Sequence, residues 1–373
     1  MSAEASSSSV LFNNKASINV SRALGELQAQ RPVTINAPGE ALFILPVEGL
    51  DDRRLAEFVS LCRPAMPDLV ITRQRALAIG LGGASAPMAV QLSEASDSRK
   101  IFNLVAARQS HFAGMARNAS SAAAAAIQLV KLSCGLPAVL AADIAGRSDD
   151  RIVAVDAEAI RRFAADAVDS LTIASEAIVP LASGTRSKFI VFRDAAFTDQ
   201  VAIVVGNPDF AKVVPVRLHS ACLTGDVFGS RRCDCGDQLA LALARLEDLG
   251  GGIVLYLAQE GRGLGLANKM RAYRLQDEGL DTFDANTTLG FDDDERDYGV
   301  AARMLQMLNC SRILLLTNNP AKLDGLARSG IEIAARIPLE APINPHNKRY
   351  LTTKAARSGH QLFGLKTVAA ENS

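Results

Sequence analysis

The sequence predicts an α/β protein built from two domains. Short apolar runs of strand length alternate with helix-like stretches along the chain. A length of 373 residues exceeds what one ordinary core accommodates. In order, residues 17–30 read as a helix ending before Pro32. Three apolar runs follow, ALFILPV at 41–47, DLVITR at 68–73 and RALAIGLG at 75–82, alternating with helix-like segments such as RRLAEFVSLCR. SSAAAAAIQLVKL at 120–132 favours helix, its alanines suiting close packing against a neighbour. RIVAVD at 151–156 reads as a strand and the segment 158–172 as a helix.

Turn formers in 183–200 mark a boundary. The expected division is a disordered tail over 1–15, a first domain over 16–195 and a second over 196–373. In the second, VAIVVGN, VVPVRLHS, GGIVLYLAQE and SRILLLTNNP read as strands. The segments 240–250, 268–279 and 296–310 and the run AKLDGLARSG read as helices. Polar clusters fall repeatedly at the strand ends, where open α/β sheets bind ligands.

Composition excludes several classes. Forty basic and forty acidic residues give zero formal charge, with no basic excess to advertise nucleic-acid binding. A phosphate-bearing small molecule remains compatible, since arginines gathered in one pocket need not move the total. The N-terminal stretch lacks a basic region followed by an apolar run, and no segment reads as membrane-spanning. Six sparse cysteines in so long a chain suit a reducing cytoplasm better than a disulfide scaffold.

Three of these cysteines, Cys222, Cys233 and Cys235, lie within HSACLTGDVFGSRRCDCGDQL. Asp234 and Gly236 suit the sharp bend that puts two thiolates on one ion. Three sulfurs make a zinc clasp with a fourth position open for chemistry, or, with His219 as fourth ligand, a structural site. Ordinary buried cysteines are the bland alternative, and the adjoining aspartate and arginines disfavour it.

Three further clusters matter. QEGRGLGLANK at 259–269 sets three glycines within five positions, so that backbone amides can approach an anion beside Arg262; alone it is a mobile loop as readily as a site. LGFDDDERDYG at 289–299 carries Asp294 and Arg296, a proton acceptor and a phosphate clamp, or simply a solvated acidic helix start. TNNPAK at 317–322 offers Thr317 and Lys322 at a strand-to-helix turn, and Arg217 precedes the metal segment. Taken together these residues point to metal-assisted hydrolysis of a phosphorylated compound and name neither a base nor a sugar.

Over roughly 205–365, these motifs, in this order and spacing, resemble GTP cyclohydrolase II, with NPHNKRYLTTKAARSGH matching as well. The resemblance implies a C-terminal α/β domain of that type, with a mixed sheet and helices. It implies zinc-dependent opening of the guanine imidazole ring, with release of formate and pyrophosphate. One Zn2+ per subunit would sit on Cys222, Cys233 and Cys235, and Mg2+ would accompany the triphosphate. Asp294 would accept a proton, Arg296 would attack or stabilise the α-phosphate, and Tyr273 would stand beside the opening ring. Arg217, Gln238, Glu260, Gly261, Arg262, Thr282, Thr317 and Lys322 would bind GTP. The family implies a homodimer. One position departs: the usual HSEC reads HSAC, placing Ala221 where a glutamate is expected. A nucleotide-binding sensor or scaffold without turnover is therefore the competing reading.

The first half faintly resembles the 3,4-dihydroxy-2-butanone 4-phosphate synthase module through SRALGELQAQRPVTI and the alanine-rich helix. The acidic run expected after its first strand is replaced by NAPGEALFILPVEG, so this half is expected to be silent in that reaction.

Overall fold

The computed structural model describes residues 15–342, apart from positions 94, 183 and 197, together with residue 344. Of the expected tail over 1–15, residues 1–14 lie outside the described residues, as does most of the C-terminal motif, and Lys15 already belongs to a helix. The chain forms two compact units, the first running to Asp166 and taking in Thr287–Asp292, the second holding Ala167–Asn286 and the chain from Asp293 on.

The first unit runs α1 (Lys15–Gln28), β1 (Val33–Ala37), β2 (Glu40–Pro46), α2 (Asp52–Cys62), β3 (Asp68–Ile71), α3 (Arg73–Ala78), β4 (Met88–Val90), α4 (Ser98–Ala106), β5 (Ala116–Asn118), α5 (Ser121–Leu132), β6 (Ala138–Asp143), β7 (Val153–Asp156) and α6 (Ala157–Asp169). Its seven strands form one sheet in the order β5-β4-β3-β6-β2-β1-β7. Only the β1–β7 pairing among these is parallel. The alanine run does what its composition suggests. Ala122, Ala123, Ala125 and Ala126 are buried, and α5 packs on β1, β2, β6 and α1. The run at 75–82 departs from expectation: Thr72 caps a short helix there by accepting from Arg75 N–H, and the chain then turns. Buried Arg75 is held among carbonyls, donating to Leu104, Asn103, Ala107 and Thr288.

The second unit runs β8 (Thr172–Pro180), β9 (Arg186–Arg193), β10 (Asp199–Gly206), β11 (Val214–Ser220), α7 (Leu223–Asp226), α8 (Cys235–Asp248), β12 (Gly251–Leu257), a 3-10 turn (Glu260–Gly263), α9 (Leu266–Asp277), α10 (Thr282–Thr288), α11 (Gly299–Met307), β13 (Arg312–Leu316), α12 (Pro320–Arg328) and β14 (Glu332–Ile337). Its sheet order is β14-β13-β11-β12-β10-β9-β8. Strands β11 to β14 run parallel, whereas β8, β9 and β10 join antiparallel to one another and to β12. The sheet is therefore mixed. The structure divides the chain earlier than the expected 195/196 boundary, because β8 and β9 pair with β10 and extend the second sheet.

Both faces of this sheet are covered. Ile253, Leu255 and Leu257 of β12 pack with Met304 and Leu305 of α11, while Val254 joins Leu246 of α8 on the other face. That alternation is the period of two expected of a strand. On β11, Val216 and Leu218 belong to the α11 side, which leaves Arg217 and His219 on the opposite face. No helix among the described residues is long and apolar enough to cross a membrane.

Candidate metal centre and active site

The chain leaves β11 at Ser220 and reaches Cys222, the N-cap of the single-turn α7. It comes back through a loop to Cys233 and enters α8 at Cys235, so two sulfurs sit at a helix start, where thiolates are favoured. The three Sγ atoms lie within 4.8 Å of one another. Cys222 Sγ and Cys233 Sγ are 3.7 Å apart. A tetrahedral ion with metal–sulfur bonds of about 2.3 Å spaces its sulfurs about 3.8 Å apart, which the Cys222–Cys233 pair matches. Gly225 makes room for it: a Cβ there would stand 3.0 Å from Cys233 Sγ and 3.1 Å from Cys222 Sγ.

Asp226 anchors the clasp. Its carboxylate accepts from Cys222 N–H at 2.9 Å and from the Tyr256 hydroxyl at 2.9 Å, and it meets His219 Nε2 at 3.1 Å. Burial lowers the His219 pKa, against the pull of Asp226. His219 stacks on Tyr256, its register partner on β12. Among the described residues His219 is not part of the sulfur group, so the four-ligand alternative finds no support in the geometry. The Cys222 pKa is lowered, first by hydrogen bonds with Cys233 and Cys235, then by Lys269, and against burial.

The clasp opens into a cavity at the C-terminal ends of β11, β12 and β13, which sit side by side in the sheet. The expected substrate residues Arg217, Gln238, Glu260, Gly261, Arg262, Thr282, Thr317 and Lys322 all line it, as do Tyr273 and Arg296. Arg217 is buried and donates to Leu316 O and Gln238 Oε1, while its Nε has no hydrogen-bond partner among the described residues. Burial brings its pKa down to about 10. Gln238 in turn donates to Asp234. With one end on a guanidinium and the other on a carboxylate, the Gln238 amide has a defined orientation.

Gly261 and Arg262 both adopt the left-handed conformation, with φ of 63° and 65°. For an arginine that costs about 1–3 kcal/mol, a strain typical of ligand-binding turns. The turn aims Glu260 inward, where its carboxylate accepts from Leu223 N–H at 2.6 Å and from Lys269 Nζ at 2.8 Å. Thr317 is buried and accepts from Asn319 N–H, and Lys322 Nζ donates to Leu218 O at 2.7 Å. Tyr273 carries the Arg232 guanidinium 4.4 Å from its ring centre.

Asp294 is not among the residues lining the cavity and meets it through Arg296. The guanidinium forks onto the carboxylate, Nε to Oδ1 at 2.7 Å and Nη2 to Oδ2 at 2.6 Å. Burial alone would raise the Asp294 pKa; the Arg296 hydrogen bonds outweigh it and hold the pKa low. Ala221 also lines the cavity and donates its N–H to Leu257 O at 2.8 Å. The position at which the resemblance implies a glutamate thus carries a methyl group on a backbone held to β12.

Several members of this site carry no sequence signal of their own. Gly225 and Asp226 lie inside the metal segment and Tyr256 on β12, but their roles rest on contacts that spacing does not show: Asp226 with Tyr256 and Cys222, and Gly225 against the sulfurs. Lys269 ends the glycine-rich motif, and its direction toward Cys222 depends on α9.

A sulfur clasp able to hold a metal ion, beside a cavity of cations and oriented polar groups at the carboxyl ends of parallel strands, has the make-up of an active site in an enzyme of the α/β class. The chain belongs to the GTP cyclohydrolase II family. Residues 172–338 match that family. A GTP cyclohydrolase-2 of Xylella fastidiosa is 39% identical over 360 residues, 94% of this chain and 89% of the relative. One from Azospirillum brasilense is 39% identical over 361 residues, 91% of this chain and 93% of the relative. The riboflavin biosynthesis protein RibBA of Bacillus mycoides is 54% identical over 164 residues, 44% of this chain and 41% of that protein. Among solved structures, RibBX, a two-domain 3,4-dihydroxy-2-butanone 4-phosphate synthase from A. baumannii, matches at 12% identity with a TM-score of 0.31, over 87% of this chain and 99% of that one.

Proposed function

We propose that the protein hydrolyses GTP with opening of the imidazole ring. Formate and pyrophosphate leave, and the product is 2,5-diamino-6-ribosylamino-4(3H)-pyrimidinone 5′-phosphate, the first step of riboflavin biosynthesis. The observation that carries this reading is the convergence of the clasp and the polar lining residues on one cavity. Cys222, Cys233 and Cys235 would hold zinc, which would supply Lewis acidity beside the cavity. The chain's own residues do the rest. Arg217 offers its orphaned Nε to a substrate acceptor, and the oriented Gln238 amide reads the edge of the guanine. Arg262, Arg296 and Lys322 bring positive charge to the triphosphate, with Thr282 and Thr317 beside them. Tyr273 faces the ring that opens.

Asp294 is the proton acceptor in this scheme. Held ionised by Arg296, it is a weak base, so orienting that guanidinium is an equal part of its work. Magnesium comes in with the triphosphate, since Glu260 and Asp234 in the lining already accept from Lys269 and Gln238. The enzyme is taken to be a cytoplasmic homodimer. The first domain, expected over 16–195, is taken as silent in sugar-phosphate chemistry. The acids of its NAPGEALFILPVEG segment serve backbone amides, Glu40 accepting from Ala122 N–H and Glu48 from Leu136 N–H. Conversion of ribulose 5-phosphate by the pure protein would contradict that assignment.

Zinc-loaded protein given GTP and magnesium should release formate, pyrophosphate and the pyrimidine in equal amounts. Formate without pyrophosphate would mean an altered reaction, for which Ala221 is the structural ground. Absence of both would favour the sensor reading. Gln238→Ala should raise the KM for GTP about tenfold, the worth of one buried hydrogen bond, and weaken discrimination against ATP. Unchanged KM and discrimination would remove Gln238 from base recognition.

A further inference from the structure

Lys269 is the buried cation nearest the clasp, at 8% exposure on α9. Its ammonium donates to Cys222 Sγ at 3.0 Å, to Thr224 Oγ1 at 3.0 Å and to Glu260 Oε1 at 2.8 Å. An ammonium has three N–H donors, and here each has a protein acceptor, so none is left over for a substrate phosphate. The position is enforced from several sides. Glu260 is pinned by Leu223 N–H and Gly261 N–H. A Cβ on Gly261 would lie 3.2 Å from Lys269 Cβ, so the glycine lets the turn run close beside the lysine stem.

We propose that Lys269 is a positioning residue of the metal clasp, holding the Cys222 sulfur toward the ion and offsetting the clasp's surplus negative charge. The inference rests on the reading that zinc occupies the clasp. Three thiolates exceed a divalent ion by one negative charge, and Glu260 adds another close by. Such surplus charge in a poorly solvated site is costly, and one ammonium bridging Cys222 to Glu260 relieves both groups. A hydrogen bond to a ligating sulfur also restrains its direction, as partners of metal ligands generally do.

The test compares zinc affinity by chelator competition, and the thiolate-to-metal absorption of the cobalt form, in the full chain. Wild type should hold one zinc per chain. Lys269→Met should bind zinc about ten- to hundredfold more weakly and shift the cobalt band. Lys269→Met combined with Glu260→Gln, which leaves no unpaired buried carboxylate to disturb folding, should remain as weak. Wild-type affinity and spectrum in a folded single variant would overturn the inference while leaving zinc in place. Full recovery in the double variant would also overturn it, since Lys269 would then serve only to neutralise Glu260. A wild-type protein that binds no zinc would overturn both this inference and the reading beneath it.

Discussion

Cys235→Ser should abolish zinc binding and GTP hydrolysis together while leaving the fold intact. The substitution swaps one atom for a smaller one at the start of α8, and serine is well tolerated at a helix start. Helix α8 stays packed through Leu246, on the far side of the sheet from α11. What changes is the donor set: a neutral hydroxyl is a poor zinc ligand, and two sulfurs alone do not hold the ion in a three-ligand geometry. Lewis-acid assistance is worth several kcal/mol, so turnover should drop by about a thousandfold or more at 1.36 kcal/mol per tenfold. Elemental analysis and circular dichroism on the same preparation check both halves. Zinc content equal to wild type would show that Cys235 is not a ligand. Because Asp226 fixes the Cys222 backbone independently of the ion, the remaining two sulfurs should stay in place in the variant.

The clasp could be read from the sequence because its signal is chemical and local. Two cysteines around an aspartate have few explanations, and a third eleven residues upstream completes the set. The strand ends were legible for a similar reason, since apolar runs stopped at polar clusters and ligands collect there. What escaped depends on tertiary placement. Strand β8 carries no such signal: all nine of its residues are exposed, so no face is buried and no alternation is imposed on TIASEAIVP. Without that signal the expected boundary falls inside the second sheet. Helix α3 reads as an apolar run because six residues are too few for a 3.6-residue period to show. Asp226 and Lys269 sit inside the cysteine and glycine-rich motifs, but spacing alone gives neither a role. One becomes the hub that ties His219 and Tyr256 to Cys222, and the other reaches the same sulfur from α9.

Replacing Arg296 separates the chemistry of the phosphate side from binding. Arg296→Met keeps the stem that packs near Tyr298, where the guanidinium carbon now lies 5.5 Å from the ring centre, and removes the charge. A single stabilising donor at a developing charge is worth about 10²–10³ in turnover. On the proposed reading Arg262 and Lys322 would still meet the triphosphate, so kcat should fall by that factor with a much smaller change in KM. Arg296→Lys should recover part of the rate, because charge returns even though the two-pronged contact with Asp294 does not. A kcat within threefold of wild type for Arg296→Met would remove Arg296 from the chemistry. The pair also predicts a pH signature in stability. Asp294 has its pKa lowered from 3.8 in the folded protein, with Arg296 as the lowering partner. Its contribution is therefore fully present above that value and disappears as pH falls through the lower folded value. The stability gap between wild type and Arg296→Met should be widest at neutral pH and close in acid. Denaturant titrations across that range check it, and a gap that persists undiminished in acid would mean that Arg296 stabilises the fold through packing alone.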